Sequence, residues 1–537
     1  MFSRNKSVLL SALSALLLSG CQNLAEKAEV SPTDISGQKA VFFEPPAKSL
    51  PAQVTATPDS DIARNDEVYD LWHITRDKMQ LGLNTENPRV KQQLNWYKKH
   101  PEYMQRVITR AQPYYYYILH EAIKRDIPAE MALLPIVESA FDPFAYSHGR
   151  AAGPWQFIPS TGKHFGLKQN WWYDGRRDIL LSTEAAFTYL EQLNKRFDGD
   201  WLLALAAYNA GGGNVSRAIK RNKRANKPID FWSLKLPKET MAYVPKLLAV
   251  SELIKNSQNY GLDLPEITNS PYFESINTES QIDLAQAAKM AGITTKEMYL
   301  LNPGYNRWAT DPDGPHRLLI PVEKAEQFKS ALAELPKDKR LNWTRYKIKS
   351  GDSLISIANK FDTTVEHIKR TNQIKTHRIR AGQSIMISTA TGNASEYVLS
   401  QQQRHAQKQK TIARTTDRQE NYYTVKSGDS FWTIAKKYQV GVRQLARWNS
   451  MAPGDSLNVG KRLVIWSKPQ QISLSSTERQ IIRKIGYRVR SGDSLYRIAG
   501  KFNVQVADIL RWNKIDKHRY LKPGQRLTLF VDVTQIN

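Results

Sequence analysis

Apolar residues recur at three- and four-residue spacing through much of the first half of the chain. The pattern runs through DEVYDLWHITRDKMQLGL and NWYKKHPEYMQRVITRAQPYYYYILHEAIKRDIPAEMALLPIVESA, and returns in STEAAFTYLEQLNKRF, WLLALAAYNAG and MAYVPKLLAVSELIKN. Proline and glycine punctuate it, so it predicts successive helices rather than strands. Together these segments mark out a mostly helical domain at 65–265. The second half obeys a different rule. Short alternating stretches begin at Tyr346, Tyr423 and Tyr487, and each is followed by SGDS, two brief apolar-periodic runs and a closing apolar stretch. Gly351, Gly428 and Gly492 are each followed twenty-one positions later by Asn372, Asn449 and Asn513, and thirty-one or thirty-two positions later by Gly382, Gly460 and Gly524. A register this constant is repetition, not shared composition. Each unit predicts strand, helix, helix, strand, with Asp352 or Ser353 capping the first helix.

The repeats occupy 344–388, 421–466 and 485–531. The polar, Gln-rich stretch 389–420 and the stretch 467–484 are expected to be flexible linkers. A weaker echo at 270–325 keeps Leu284-Ala285, Gly292-Ile293, Leu301-Asn302 and a final LLIPV but lacks the SGDS start. It is either a degenerate fourth copy, packed on the helical domain, or an unrelated helical connector. The expected fold class is therefore multidomain α+β.

With 537 residues, 41% hydrophobic and 10% aromatic, the chain has enough apolar surface for three or more folded domains. The formal net charge of +26 suits a polyanion or an anionic surface, without choosing among nucleic acid, lipid headgroups and cell-wall polymer. Lys and Arg are dispersed through the repeats and do not gather on one basic helix, which argues against nucleic acid. His148 and His164 have no zinc-ligand spacing, and no glycine-rich phosphate cradle follows an identifiable strand. Neither a metal nor a cofactor is expected.

The N-terminus narrows the setting. Arg4 and Lys6 precede the apolar run Val8 to Leu18, which is too short to span a bilayer comfortably and has the layout of an export signal. Leu-Ser-Gly then leads into Cys21, the chain's one cysteine, which therefore cannot form an internal disulfide. This stretch resembles the lipobox of bacterial lipoproteins. The resemblance implies a signal peptide at 1–20 removed before Cys21, acyl chains such as palmitate on that cysteine, and a lipid-anchored tether at 21–64 rich in Pro, Ser, Thr and Ala. Gln22, in place of aspartate, implies the periplasmic face of the outer membrane of a Gram-negative cell. The simpler reading is a secreted protein with an incidental cysteine.

The C-terminal units resemble LysM domains, small modules that bind N-acetylglucosamine-containing glycans. In that family the sugar groove lies between the loop after the first strand and the loop before the last. The resemblance therefore implies glycan-binding positions at Gly351, Asp352, Ser353 and Asn372, at Gly428, Asp429, Ser430 and Asn449, and at Gly492, Asp493, Ser494 and Asn513. A structural reading of the same residues, as turn glycines, caps and helix ends, stands beside it.

Glu138 ends an apolar helical pattern in PIVESAFDPFAYSHGRAAGPWQFIP. Four-residue spacing sets it beside Leu134, and a carboxyl among aliphatic side chains has its charged form disfavoured, which suits a general acid. The ordered set Glu138-Ser139, Pro143, Ser147, Gly149, Gly153-Pro154-Trp155-Gln156, Pro159-Ser160-Thr161 and Ala207-Tyr208-Asn209-Ala210-Gly211 resembles the lysozyme-like domain of bacterial lytic transglycosylases. Among them it is most similar to the membrane-bound type D enzymes with C-terminal LysM repeats. The resemblance implies a polysaccharide lyase acting on peptidoglycan in cell-wall turnover. It makes Glu138 the catalytic acid and then base, and gives support or substrate contact to Ser139, Gly153, Gln156, Tyr208 and Asn209. Pro154-Trp155 depart from the usual Leu-Met pair, so altered packing of the cleft is expected there. The alternative reading of Trp155, Phe157 and Tyr208 is core packing alone. No second carboxylate is embedded in these motifs. Asp142 reads as a turn cap, and Asp178 and Glu184 are the remaining candidates. The reaction implied is cleavage of the bond between N-acetylmuramic acid and N-acetylglucosamine without water, leaving a 1,6-anhydromuramic acid end. The alternatives are a hydrolytic muramidase and an inactive wall-tethering scaffold.

Overall fold

The computed structural model describes residues 70–467 except 417, and 482–532 except 491, 492, 503 and 517–520. The export signal, Cys21, the tether, most of the 467–484 linker and Gly492 lie outside the described residues. The chain divides into two compact units, Met1–Trp466 and Ser467–Asn537.

Among the described residues the first unit begins with nine α-helices: α1 Leu71–Asp77, α2 Pro88–Lys98, α3 Pro101–Lys124, α4 Leu134–Ser139, α5 Pro159–His164, α6 Ile179–Arg196, α7 Trp201–Ala210, α8 Gly212–Arg224 and α9 Lys238–Lys255. Local chemistry sets their starts. Asn87 accepts from the Arg89 amide with Pro88 at the first position of α2, and Asp178 and Asp200 cap α6 and α7 through the Leu181 and Leu203 amides. Helix α3 buries Met104, Val107, Ile108, Ala111, Tyr115, Ile118 and Ala122, a stripe at helical spacing, while α9 is buried nearly all round through Val244, Leu247, Leu248, Ala249 and Val250. Helix α9 is therefore the hub, packed against α2, α4 and α7.

A strand–helix–helix–strand module follows: β1 Phe273–Asn277, α10 Leu284–Ala291, α11 Thr295–Leu301 and β2 Arg317–Pro321, with α12 Val322–Glu334 laid over the hairpin. Strands β1 and β2 are antiparallel, in register from Phe273 opposite Pro321 to Asn277 opposite Arg317. The module is packed on the helical domain. Asp178, having capped α6, also accepts two bonds from Arg317 at 2.8 and 2.9 Å and one from the Tyr173 hydroxyl at 2.6 Å. Gly304 lets the Tyr173 ring approach, since a Cβ there would lie 2.6 Å from it.

The first repeat is β3 Asn342–Lys347, α13 Leu354–Lys360, α14 Val365–Thr371 and β4 Ser384–Thr389, its strands antiparallel from Asn342–Thr389 to Lys347–Ser384. The 389–420 stretch departs from the flexible linker expected of it. It contains α15 Gln401–Thr415, capped by Ser400, and buries Gln409. The second repeat is β5 Gln419–Thr424, α16 Phe431–Lys437, α17 Val442–Trp448 and β6 Arg462–Ser467. In the second unit β7 Ile482–Arg488, α18 Leu495–Lys501, α19 Val506–Asn513 and β8 Arg526–Asp532 repeat the plan around Ile498, Ile509, Leu527 and Leu529.

Candidate active site

Helix α4 is only six residues long and continues a 3-10 turn at Ala129–Leu133. It stops because Ala140 and Phe141 both adopt left-handed backbone, φ +52° and +53°. Two such non-glycine residues in succession cost on the order of 1–2 kcal/mol each. The turn they make presents Glu138 at the end of the helix and sends Phe141 back into the core beside Tyr115.

Glu138 is 6% exposed. Its Oε1 accepts a 2.5 Å hydrogen bond from the Tyr243 hydroxyl of α9. Burial is the largest influence on the carboxyl and pushes its pKa from 4.5 up to about 8. The Tyr243 bond opposes that shift, Glu239 adds to it by like-charge repulsion, and Lys246 opposes it. Tyr208 and Tyr243 are held protonated, first by burial and then by the nearby carboxylate. The site thus contains an acid that keeps its proton at neutral pH, with a phenol fixed on one oxygen.

The surrounding motifs build the wall. The Ser139 hydroxyl donates to the Pro135 and Pro154 carbonyls at 3.1 and 3.0 Å, tying α4 to the Gly-Pro-Trp-Gln turn. Gly153 has φ +79°, and a Cβ there would sit 2.0 Å from the Arg176 carbonyl oxygen, so the turn admits no larger residue. Gln156 folds back, its amide nitrogen donating to the Gly153 carbonyl at 2.8 Å. Trp155 is fully buried and donates to Thr183, and Phe157 is buried, so both are core. Tyr208 is half-buried. Its hydroxyl donates to the Trp155 carbonyl at 2.9 Å and its ring lies against Phe157 and Tyr189. The Asn209 side-chain oxygen accepts from Thr240 at 2.7 Å, linking α7 to α9.

The sequence candidates for a second carboxylate fall elsewhere. Asp142 caps its own turn through the Phe144 amide at 2.9 Å. Asp178 is committed to Arg317, Tyr173 and the start of α6. Glu184 has Arg125, Glu121 and Arg317 as its electrostatic neighbours. The acid that does act on Glu138 is Glu239, which motif reading missed, as it missed Tyr243. The two are four apart on α9 and so face the same way. The available signal was a tyrosine inside the apolar run MAYVPKLLAV, whose hydroxyl has to find a partner if the helix is buried.

In the repeats, the predicted residues divide by role. Each aspartate accepts from the opening tyrosine and from the amide three residues before it: Asp352 from Tyr346 and Lys349, both 2.8 Å; Asp429 from Tyr423 at 2.8 Å and Lys426 at 2.7 Å; Asp493 from Tyr487 at 2.7 Å and Arg490 at 2.8 Å. Ser353, Ser430 and Ser494 cap the first helices, and Gly351 and Gly428 supply the left-handed turn before them at φ +86° and +85°. Asn372, Asn449 and Asn513 turn inward. Each amide bridges its helix to the last strand, with the strand amide donating back at 2.7, 2.7 and 2.6 Å. Asn302 does the same in the 270–325 module, holding the Leu319 backbone on both sides. What does face solvent at one repeat position, directly after the capped turn, is a large apolar side chain: Ile355, Trp432 and Tyr496.

Comparison with known proteins agrees with this architecture. Residues 116–231 match the transglycosylase SLT domain, 272–337 the LysM-like domain of lytic transglycosylase MltD, and 346–388, 423–466 and 487–530 the LysM domain. The class is therefore a lytic transglycosylase, a lyase-type enzyme of peptidoglycan carrying LysM modules. Membrane-bound lytic murein transglycosylase D of two Escherichia coli strains is 37% identical over 463 residues, covering 83% of this chain and 96% of theirs. An autolysin of Enterococcus faecalis is 31% identical over 178 residues, 32% of this chain and 23% of its own. The chain belongs to the membrane-bound lytic murein transglycosylase D family.

Proposed function

We propose that Glu138 alone carries both proton transfers of a water-free cleavage of the glycan strand. Glu138 gives its proton to the oxygen linking N-acetylmuramic acid to N-acetylglucosamine, and that bond breaks with its electron pair leaving on the protonated oxygen. The muramic acid's own acetamido carbonyl stabilises the positive charge at C1. The Glu138 carboxylate then takes the proton of the C6 hydroxyl as that oxygen bonds to C1, which closes the 1,6-anhydro ring and restores the acid. The attacking group belongs to the sugar already bound, so no second reactant has to be captured. The observation that carries this reading is the buried carboxyl with its proton held to about pH 8 and a phenol fixed on one oxygen. Tyr243 orients Glu138, and Gln156, Tyr208 and Asn209 frame the cleft for the sugar. The LysM modules hold the wall, with Ile355, Trp432 and Tyr496 offering apolar faces to sugar rings beside the Gly-Asp-Ser turns. Cys21 carries the acyl anchor, on the periplasmic face of the outer membrane.

The test is digestion of purified peptidoglycan by the chain from Glu26 onward and by its Glu138→Gln variant. Anhydro-ended fragments are expected from the first and almost none from the second, with co-sedimentation on the wall retained. Fragments heavier by one water would instead make the enzyme a hydrolase, a reading that Glu239 keeps in view as a second acid near the first. For the anchor, Cys21→Ala should abolish palmitate labelling and release the protein from the membrane fraction.

A further inference from the structure

A cavity of about 650 Å³ opens where five parts of the first unit meet. Its walls come from the loop following Glu138, the 169–177 segment, Asn306 and Arg307 of the 270–325 module, the start of α15 and the second repeat. Its lining is cationic beyond what the protein neutralises. Of the acids present, Asp174 is paired with Arg176 at 2.8 Å and Asp455 with Arg150 at 2.6 Å, while Asp142, which accepts from the Phe144 amide, is the one carboxylate left as a counter-charge for both Arg177 and Arg404. Among the described residues Arg177, Arg404, Lys408, Arg447 and Lys461 make no ion pair, and Arg307 has only Asp362, at 3.7 Å.

The guanidinium groups are fixed and yet incompletely bonded. Arg177 is 6% exposed, and one of its terminal nitrogens donates to Asn306 at 2.8 Å, but its buried Nε has no acceptor. Arg404 stacks on Phe144 with its central carbon 4.1 Å from the ring centre, and its buried Nη1 likewise has none. Buried N–H donors without partners are costly, and arginines pre-set by stacking are suited to gripping planar oxyanions with two parallel bonds. Burial and mutual repulsion depress the pKa of Arg404 and Lys408, as expected where positive charge awaits a counter-charge.

We infer that this cavity binds the carboxylates of the acidic peptide stem carried by muramic acid. It rests on peptidoglycan being the substrate. The loop of Phe144 to Ser147 borders the cavity and is joined to the turn that Ser139 binds, the Gly153 amide donating to the Ala145 carbonyl at 3.1 Å, so the stem of a sugar held at Glu138 is directed toward this chamber. A carboxylate ligand is favoured because the chamber pairs guanidinium forks with flanking rings, and its volume suits a few amino-acid residues.

The test compares strands carrying their stems with strands stripped of them by an amidase. The chain from Glu26 onward is assayed beside Arg404→Met, which keeps the stack on Phe144 without the charge, and Lys461→Gln at the cavity wall. The expected result is a KM about tenfold higher for each variant on stem-bearing strands and unchanged on stripped ones. Equal KM for wild type and both variants on stem-bearing strands overturns the proposal. Intrinsic tryptophan fluorescence, to which Trp171 on the cavity wall contributes, provides a readout independent of cleavage: a free stem tetrapeptide should change it in wild type and Glu138→Gln but not in Arg404→Met. A response to inorganic phosphate at lower concentration than to the peptide would overturn the carboxylate assignment. Absence of anhydro ends on both substrates, with the peptide response intact, would instead remove the proposed chemistry and leave this site standing.

Discussion

Replacing Glu138 by glutamine should stabilise the protein, and by an amount that depends on pH. The carboxyl has its pKa raised from 4.5 to about 8, chiefly by burial. The folded state therefore holds a proton that the unfolded state releases anywhere between those two values. Stability contributed by this group is intact below about pH 4.5 and is lost as pH rises toward 8, the opposite of a salt-bridged carboxylate. At 1.36 kcal/mol per pH unit the full penalty has a ceiling of about 5 kcal/mol, of which about 3 kcal/mol is already present at pH 7. The amide cannot ionise, remains the same size and still accepts from Tyr243. Stability of Glu138→Gln relative to wild type should thus be near zero at pH 4.5, reach about 3 kcal/mol at pH 7, and level off above pH 8. The assay is denaturant unfolding of the helical domain within the full chain, followed at each pH by intrinsic tryptophan fluorescence, to which its buried Trp72, Trp155 and Trp172 contribute. A difference that stays flat from pH 5 to 9 would refute the argument, because the carboxyl would then titrate alike folded and unfolded. In wild type the rate of strand cutting should fall as pH passes about 8 and Glu138 loses its proton.

Tyr243→Phe removes the bond that lowers the pKa of Glu138, so the alkaline fall in activity should move to higher pH while kcat drops roughly 10- to 100-fold from lost orientation, read from a pH–rate profile. Glu239→Gln removes a neighbouring negative charge and should move the same limb to lower pH. Asn449→Ala leaves the Val464 amide, the Val464 carbonyl and the Leu445 carbonyl short of partners, at about 1–3 kcal/mol for each group left unsatisfied, and the Val464 amide should exchange hydrogen far faster. Trp432→Ala should weaken co-sedimentation with insoluble wall by about three- to tenfold, with cutting of short soluble strands unchanged.

The order of motifs singles out Glu138 because the residues that frame it are local in sequence: the acid, the serine beside it and the turn that the serine binds lie within nineteen residues. Tyr243 and Glu239 were not legible the same way. They reach the site from a helix a hundred residues on, and their relevance depends on how α9 packs against α4, which no spacing encodes. The asparagines were found by their constant register, but the register serves the fold. An amide that satisfies a strand N–H and C=O and a helix carbonyl does so identically in four modules, including the 270–325 module that lacks SGDS.

The polar stretch 389–420 illustrates why composition misleads. Gln-rich segments lack apolar faces and ordinarily cannot offset the entropy of ordering, so a flexible spacer was the physical expectation. Here the neighbouring modules supply polar partners instead. Buried Gln409 takes a bond from the Trp466 indole at 2.7 Å and donates to the Trp448 carbonyl, satisfying both ends of its amide inside the second repeat. Before the helix, the Tyr397 hydroxyl donates to Asp283, the cap of α10, at 2.8 Å, and the Gln401 amide donates to the Asn306 carbonyl at 2.8 Å. Arg404, between these anchors, is brought over Phe144 in the loop that follows Glu138. A chain segment read as a spacer thus fixes the second repeat beside the loop that follows Glu138. The LysM-matching and transglycosylase-matching parts of this unit meet at that point, with the cationic cavity between them.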